Sequence, residues 1–540
     1  MSTNRLTIQH LLTAEERAAL DAFCTPGRDL PALANFLQVS FAVDLVLDPD
    51  IVRGYATDQS NLPGRAQALA RPVTARECAV IMCACHGAQL PLTISGGRSN
   101  LTGSATPQDG VVLSTARMLA PAPAVDLTHK LVTAPVGMLL EDLRKAVRNQ
   151  SHETLIYPVD PTSRAEASVG GTLACNASGF VPGAQGATRD WVAALDFLLP
   201  DGSFIRAEHG QYVSQGGRFL FADGDRATEV PVPTYPRPTI KNAGGPFSKP
   251  DGAMDFLDFV IGSEGLFGLA TACTLRLKPK PEALLDLFFP LPGEADALKF
   301  LDFIRARLQG RLDQLGALEY FGLNSRRYMK HETALFRGDN QVAIYLQAPA
   351  QGQALEDAAA EWLGLLEESA CHIDPEAILL LDNEPSWKLF MEARHSLPAN
   401  ALEVVQHRGT FTIMTDAAVP PERFGEFLDF THGLLRHAGM DYLAFGHLGD
   451  CHLHFTLLPE KKDLELGVEL YDRIIARAAE LGGVYSGEHG TGKRKRKDFL
   501  RCYGPAAADQ LLNCKRALDP LLLLNRHNVL EMPQGPSPST

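Results

Sequence analysis

The chain has no CxxC pair. Its ten cysteines are scattered, which argues against an iron–sulfur cluster or a zinc ribbon. The tightest group, Cys78, Cys83 and Cys85, falls on an expected helix and reads as small buried hydrophobes in a reducing cytoplasm. No stretch reaches the ~18 uncharged apolar residues that a membrane span needs, and Met1–His10 lacks the apolar core of an export signal. Positive charge is in deficit: 50 Lys and Arg face 64 Asp and Glu, a formal net charge of −14. Nucleic acid is therefore not expected as a partner. None of the glycine-rich segments carries GxGxxG, which speaks against a dinucleotide-binding Rossmann unit. Gly487–Lys493 has P-loop spacing, but Arg494 follows where Ser or Thr would bind magnesium.

What is present is an ordinary globular composition, 45% hydrophobic and 21% charged over 540 residues, too long for one core. Residues 12–24, Val73–Gln89 and Met138–Val147 read as helices, and Leu90–Ile94, Val111–Leu113, Leu131–Ala134 and Trp191–Leu199 as strands. Residues 207–252, rich in Gly and Pro, read as a long loop. Beyond Lys278–Pro281 the pattern alternates. Strands are expected at Val342–Ala348, Ala377–Leu381 and Tyr442–Phe445, and helices at Ala354–Ser369 and Leu464–Leu481. An α+β second domain follows from that order, and the Pro/Ser-rich tail after Pro533 is expected to be disordered.

Three segments of the first half combine glycines with small polar residues. In Pro91–Gly103, Gly96, Gly97 and Gly103 let backbone N–H groups converge on an anion, with Ser95, Ser99, Asn100 and Thr102 as further donors; a tight turn is the plainer alternative. Tyr157–Gly179 contains Asp160, Pro161 and Ser163, then Gly170, Gly171, Asn176 and Gly179, and brings the backbone close to something flat or anionic. Ile261–Gly268 sets Glu264 among Gly262, Gly265 and Gly268, either to hold a ribose or to fix the loop.

Together these segments resemble the FAD-linked oxidases of the vanillyl-alcohol oxidase superfamily, most closely the branch with D-lactate dehydrogenase, D-2-hydroxyglutarate dehydrogenase and the glycolate oxidase flavin subunit. Gly446-His-Leu-Gly-Asp-Cys-His-Leu-His454 resembles the branch's HxGDGNxH segment, Gly482–Gly490 its GGxxSxEHG segment, and Leu518-Asp-Pro520 with Asn525 its LDPxxxxNPGK ending. The resemblance implies a two-lobed FAD-binding domain over 37–282, an α+β cap over 283–480, a segment over 481–532 returning to the FAD domain, an N-terminal extension over 1–36, and a tail over 533–540. It places FAD along 95–103, 160–179 and 262–268 and near Asn525, with Arg189 and Asp190 close by. No histidine lies between 91 and 107, so non-covalent FAD is expected.

Oxidising a hydroxy acid requires a clamp for the carboxylate, a base for the hydroxyl and a hydride acceptor. His452 and His454 share a strand face, and His447 lies across the turn. With Glu488, the pair His447 and His454 reads as a metal set with an open position, for zinc or manganese; histidines that only pack or cap the turn are the plainer alternative. His489 is the base candidate, since imidazole titrates near neutrality. Arg394 lies in a segment resembling the family's substrate-arginine helix, and guanidinium suits a carboxylate.

Departures matter too. Cys451 and His452 stand where the family carries Gly and Asn. The resemblance implies a substrate contact at 452, which His452 either replaces or converts to a metal ligand. Arg98 interrupts a glycine-rich loop. Met414-Thr415-Asp416 offers no lysine for a second carboxylate, which disfavours a dicarboxylic substrate. The function expected is oxidation of a D-lactate-like acid in the cytoplasm or at the inner-membrane surface, with electrons passing to a quinone, cytochrome, flavoprotein or oxygen. Alternatives are glycolate or D-2-hydroxyglutarate oxidation, an FAD-dependent transferase of the ether-lipid synthase type, or an inert subunit. The basic run Lys493–Lys497 is expected to be a solvated helix start.

Overall fold

The computed structural model describes residues 5–350 and 352–532; the expected disordered tail lies outside them. The architecture is α+β, as the sequence implies. A four-stranded sheet runs in the order Leu45–Val46, Ala68–Ala70, Val111–Ser114, Leu92–Ser95, with the last three strands parallel. Its connection is the helix Ala75–Gly87, capped by Thr74 and buried along Cys78–Met82 and at Ala84 and Cys85. A five-stranded antiparallel sheet follows, centred on Val192–Leu198 and Leu269–Arg276. The latter strand alternates strictly between buried and half-buried residues, the period-two signature of a sheet with one covered face.

The second half contributes a seven-stranded antiparallel sheet. At its heart Ala317–Phe321 pairs with Tyr442–His447, which in turn pairs with His452–Leu457 and then Ile413–Met414. This hairpin turns through Leu448–Asp450, and Cys451 takes a left-handed φ of 51°. That conformation favours glycine, which explains the residue the resembling family carries there.

Two expectations are corrected. Residues 207–252 are not one loop: Arg218–Asp223 and Arg226–Pro231 form a hairpin that pairs with Arg5–Thr7. Alternating apolar residues at Phe219 and Phe221, both 2% exposed, supply the driving force that the surrounding Gly and Pro obscured. The basic run is only in part a solvated helix start, with Arg494 and Lys497 exposed. Lys493 and Lys495 are buried and make specific contacts with Asn528 and Asp416.

The chain then returns to its beginning. Leu92 donates to Leu523 O, and Asn525 N donates to Leu92 O, so residues 523–525 extend the edge of the four-stranded sheet. What holds this return is a fully buried ion pair, Lys515 Nζ to Asp519 Oδ2 at 2.8 Å. Lys515 also donates to the carbonyls of Leu266 and Leu524, and Asp519 accepts from the N–H groups of Leu523 and Leu524. Removing one partner strands the other's charge. Asp519→Ala is expected to lower stability by ~3–5 kcal/mol in urea unfolding, and the Lys515→Met/Asp519→Leu double variant to lose less; equal losses would show that the pair is not the fastening.

Candidate active site

A cavity of about 590 Å³ opens between the glycine segments and the histidine hairpin. All three glycine segments reach it. Gly96, Gly97, Arg98, Ser99 and Asn100 line it from the first, Asp160, Pro161, Ser163, Gly170, Gly171 and Gly179 from the second, and Glu264, Gly265 and Gly268 from the third. Asn525 completes the wall, whereas Ser95, Gly103, Asn176 and Gly262 stand behind it. A Cβ on Gly97 would sit 2.1 Å from the Glu166 carbonyl, so the backbone there is bare by steric requirement. Arg98 takes a left-handed φ of 59° and turns its guanidinium onto the Tyr55 ring.

Several of these residues brace the wall. Glu264 accepts from the N–H groups of Thr491 and Gly492 at 2.7 and 2.8 Å, and so fixes the loop after the EHG segment. Asn525 accepts from Ile94 N and donates to Glu264 O. Arg189 pairs with Asp258, and its N–H donates to Asn176; Asp160 pairs with Arg164 and Arg144.

At the far end of the cavity stand His447, Glu488 and His489. His447 and His452 are cross-strand partners, and His454 follows two residues on, so period-two geometry puts all three on one face. The His452 and His454 ring centroids are 4.7 Å apart, and those of His447 and His452 5.4 Å. Glu488 lies against them, its Oε1 2.9 Å from His447 Nε2 and its Oε2 3.7 Å from His454 Nε2. His452 itself is fully buried and does not line the cavity.

Four residues that sequence reasoning did not assign complete the constellation. Glu319 holds His447 Nδ1 at 2.6 Å and Arg394 at 3.2 Å. Asp416 takes His452 Nε2 at 2.8 Å, His489 Nδ1 at 3.2 Å and Lys495 Nζ at 2.7 Å. It also accepts from Ser486 Oγ and from the backbone of Glu488 and His489. Lys241, nearly buried, bridges Glu488 and Asp450 at 2.7 and 3.1 Å. Phe180 lines the cavity, and the Arg394 guanidinium lies over its ring, 4.3 Å from the centroid. Arg394 is half-buried beside this part of the wall. It engages Glu319 through Nη2.

The electrostatics follow from these contacts. Burial alone would raise the carboxyl of Glu488, but His447 and Lys241 outweigh it and hold it well below the carboxylate range. Asp416 is likewise lowered against the penalty of burial, by His489, Lys495 and His452. Burial pushes His452 and His454 down, His454 far down with help from its histidine neighbours, so both are neutral with a lone pair to offer. His447 is the exception: Glu319 and Glu488 overcome its burial and raise it to about 9. Among the described residues, ligand atoms of His447, His452, His454 and Glu488 lie within 4.8 Å of one another, as do those of Asp416, Glu488 and His489.

This geometry agrees with comparisons to known proteins. Residues 66–208 match the FAD binding domain family, and residues 325–529 match the C-terminal domain of FAD linked oxidases. The chain belongs to the FAD-linked oxidases. It is a flavoprotein oxidoreductase, and FAD is its cofactor. The oxidase is 26% identical to a D-lactate dehydrogenase of Anaerostipes hadrus, over 89% of this chain and 93% of that one. It is also 26% identical to a D-2-hydroxyglutarate dehydrogenase of Xanthomonas citri pv. viticola, over 94% and 98%. A solved alkyldihydroxyacetonephosphate synthase superposes with a TM-score of 0.63 over 93% of this chain and 85% of that one; at 16% identity this is a likeness of fold.

His447 supplies a check on the cluster. Its imidazole rises from 6.5 to about 9 in the folded protein, so the stabilisation is full below pH 6.5 and is lost as pH climbs through 9. In metal-free protein the stability advantage of wild type over His447→Asn should therefore shrink between those values, measured by urea unfolding. An advantage that is flat or grows would contradict the Glu319–His447–Glu488 contacts.

Proposed function

We propose that this FAD-linked oxidase oxidises a small D-2-hydroxy monocarboxylate of the D-lactate type to the 2-oxo acid and hands the electrons to a separate quinone, cytochrome or flavoprotein. The observation that carries the reading is the His489–Asp416 pair at the cavity wall beside His447 and Glu488. A buried carboxylate fixed on Nδ1 holds the imidazole in one tautomer and leaves Nε2 as the nitrogen that takes a proton.

In this reading residues 37–282 with the return segment 481–532 hold FAD, residues 283–480 cap it, and residues 1–36 are an extension. The cavity suits a cofactor: its volume lies within the ~300–1,000 Å³ of small-molecule sites, and bare backbone lines it. FAD is held non-covalently, because the first glycine segment has no histidine and burial keeps the neighbouring Cys175 thiol protonated. When bound, FAD supplies the two-electron acceptor for the substrate's α-hydrogen.

Arg394 receives the substrate carboxylate with the N–H groups that Glu319 leaves free, a fork suited to two oxygens. His489 accepts the hydroxyl proton, and Asp416 stabilises the imidazolium that results. His447, His454 and Glu488 hold a zinc or manganese ion, whose contribution is Lewis acidity toward the substrate oxygens. The cluster fits such an ion. His452 Nδ1 is buried without a hydrogen bond, and Glu488 Oε1 has cationic neighbours but no well-directed hydrogen bond. Glu319 is the outer-shell carboxylate that such a histidine ligand calls for. A monocarboxylate is favoured over a dicarboxylate because Met414 and Thr415 bring no second cation to the site. No helix among the described residues is long and apolar enough to cross a membrane; we place the enzyme in the cytoplasm or peripherally at the inner membrane.

Anaerobic addition of D-lactate to metal-replete protein is expected to bleach the flavin absorbance, with D-2-hydroxyglutarate, glycolate and L-lactate much slower. No bleaching by any hydroxy acid would remove the hydroxy-acid reading in favour of transferase chemistry or an inert subunit. His489→Asn should slow flavin reduction by ~10²–10⁴-fold with flavin content unchanged; a rate near wild type would exclude His489 as the base. Arg394→Met should act chiefly on substrate affinity, raising the D-lactate concentration for half-maximal reduction by about 10-fold or more; an unchanged midpoint would remove the clamp role.

A further inference from the structure

We propose that His452 is a fourth protein ligand, so that this chain builds a three-histidine, one-carboxylate site suited to a six-coordinate ion rather than the three-ligand site of zinc type. The inference rests on the metal reading above and concerns the residue by which this chain departs from the Asn of the family it resembles.

The three histidines are prepared alike. Each has one ring nitrogen committed to an outer acceptor: His447 Nδ1 to Glu319 at 2.6 Å, His452 Nε2 to Asp416 at 2.8 Å, and His454 Nδ1 to the Thr415 carbonyl at 3.3 Å. That is how metal-bound imidazoles are oriented, by a carboxylate or carbonyl on the nitrogen away from the ion. For His447 and His454 the remaining nitrogen is the one near Glu488. For His452 it is Nδ1, which is buried and has no hydrogen-bond partner at all. Leaving such a group unsatisfied is costly, and an ion removes that cost. A ligand atom from each of the four residues falls within 4.8 Å of the others, close to the ~4.4 Å that opposite ligands span when each bond is ~2.2 Å.

The alternative, a substrate contact at 452, finds no support in the geometry. The residue is 0% exposed, its ring is walled by Gly487, where a Cβ would sit 2.8 Å from Nε2, and it lines no part of the cavity.

Coordination chemistry then decides which ion suits the site. Four protein ligands fill a tetrahedral zinc shell and leave no place for substrate. An ion with octahedral preference, manganese foremost, would keep room beside the four residues for the oxygens of a 2-hydroxy acid. The fourth ligand thus shifts the site toward manganese and toward substrates that chelate.

The test uses the FAD-loaded full chain, stripped of metal and titrated separately with Mn(II) and Zn(II). Affinity is read by competition with an indicator, and nitrogen ligands are counted from the hyperfine couplings of bound Mn(II) in pulsed electron paramagnetic resonance. Wild type should show three imidazole nitrogens. His452→Asn should show two and bind Mn(II) about 10–100-fold more weakly, with a smaller loss for Zn(II). Three nitrogens lost to two by His447→Asn but untouched by His452→Asn would overturn the proposal while leaving the metal reading intact. So would two nitrogens in wild type, a result that needs no variant to fold. Failure of wild type to bind either ion stoichiometrically would overturn both.

Discussion

A carboxylate taken wholly out of water must be compensated at every lone pair, and Asp416, 1% exposed, is compensated by everything around it. Lys495 meets its charge. His452, His489, Ser486 and the backbone of Glu488 and His489 fill its remaining acceptor sites. The loop 486–495 is folded around this one group. His489 faces the cavity because its other nitrogen is held there, and His452 is oriented from the same point. The basic run belongs to the same arrangement: Lys495 is a buried counter-ion.

The pattern is repeated twice nearby. Glu319 is matched by Arg394, and Glu488 by Lys241. Three acids thus face three cations, all largely withdrawn from solvent, and each acid also touches a histidine. A cluster of carboxylates without this matching would protonate rather than stay charged. Glu319 has a further effect, because it touches both Arg394 and His447. The Arg394 guanidinium and the histidine hairpin are therefore positioned by one side chain.

Much of the fold was legible in the chain. Strands such as Val192–Leu198 and helices such as Leu464–Glu480 announce themselves by period and by their flanking turns. The hairpin at 218–231 did not, because glycine and proline around it masked two alternating phenylalanines. In the site, motifs led to His447, His454, Glu488 and His489, which the structure brings together, and to Arg394, which packs on Phe180. The residues that escaped are those whose partners lie far away in the chain. Glu319 is 128 residues from His447 and sits in an ordinary strand, Lys241 occupies a loop of polar residues, and Asp416 resembles any turn aspartate. Position in space gives them their meaning, and local pattern carries no trace of it. The opposite error, reading Lys493–Lys497 as solvated, has the same origin: consecutive charges look like surface until a buried carboxylate is found to face one of them.

The pinning of Ile94 by Asn525 spans 431 residues. A wall of the cavity is thus formed by the first and last quarters of the chain, and the strand edge at Leu92 waits for residues 523–525. Contacts of such separation are slow to form because loop-closure entropy must be overcome first. On the ribosome, the cavity remains open along one side until nearly the whole chain has emerged. The four-stranded sheet meanwhile exposes an edge of unpaired backbone, the kind of surface that invites mispairing. Closure of this sheet is therefore a late event in the synthesis of the chain.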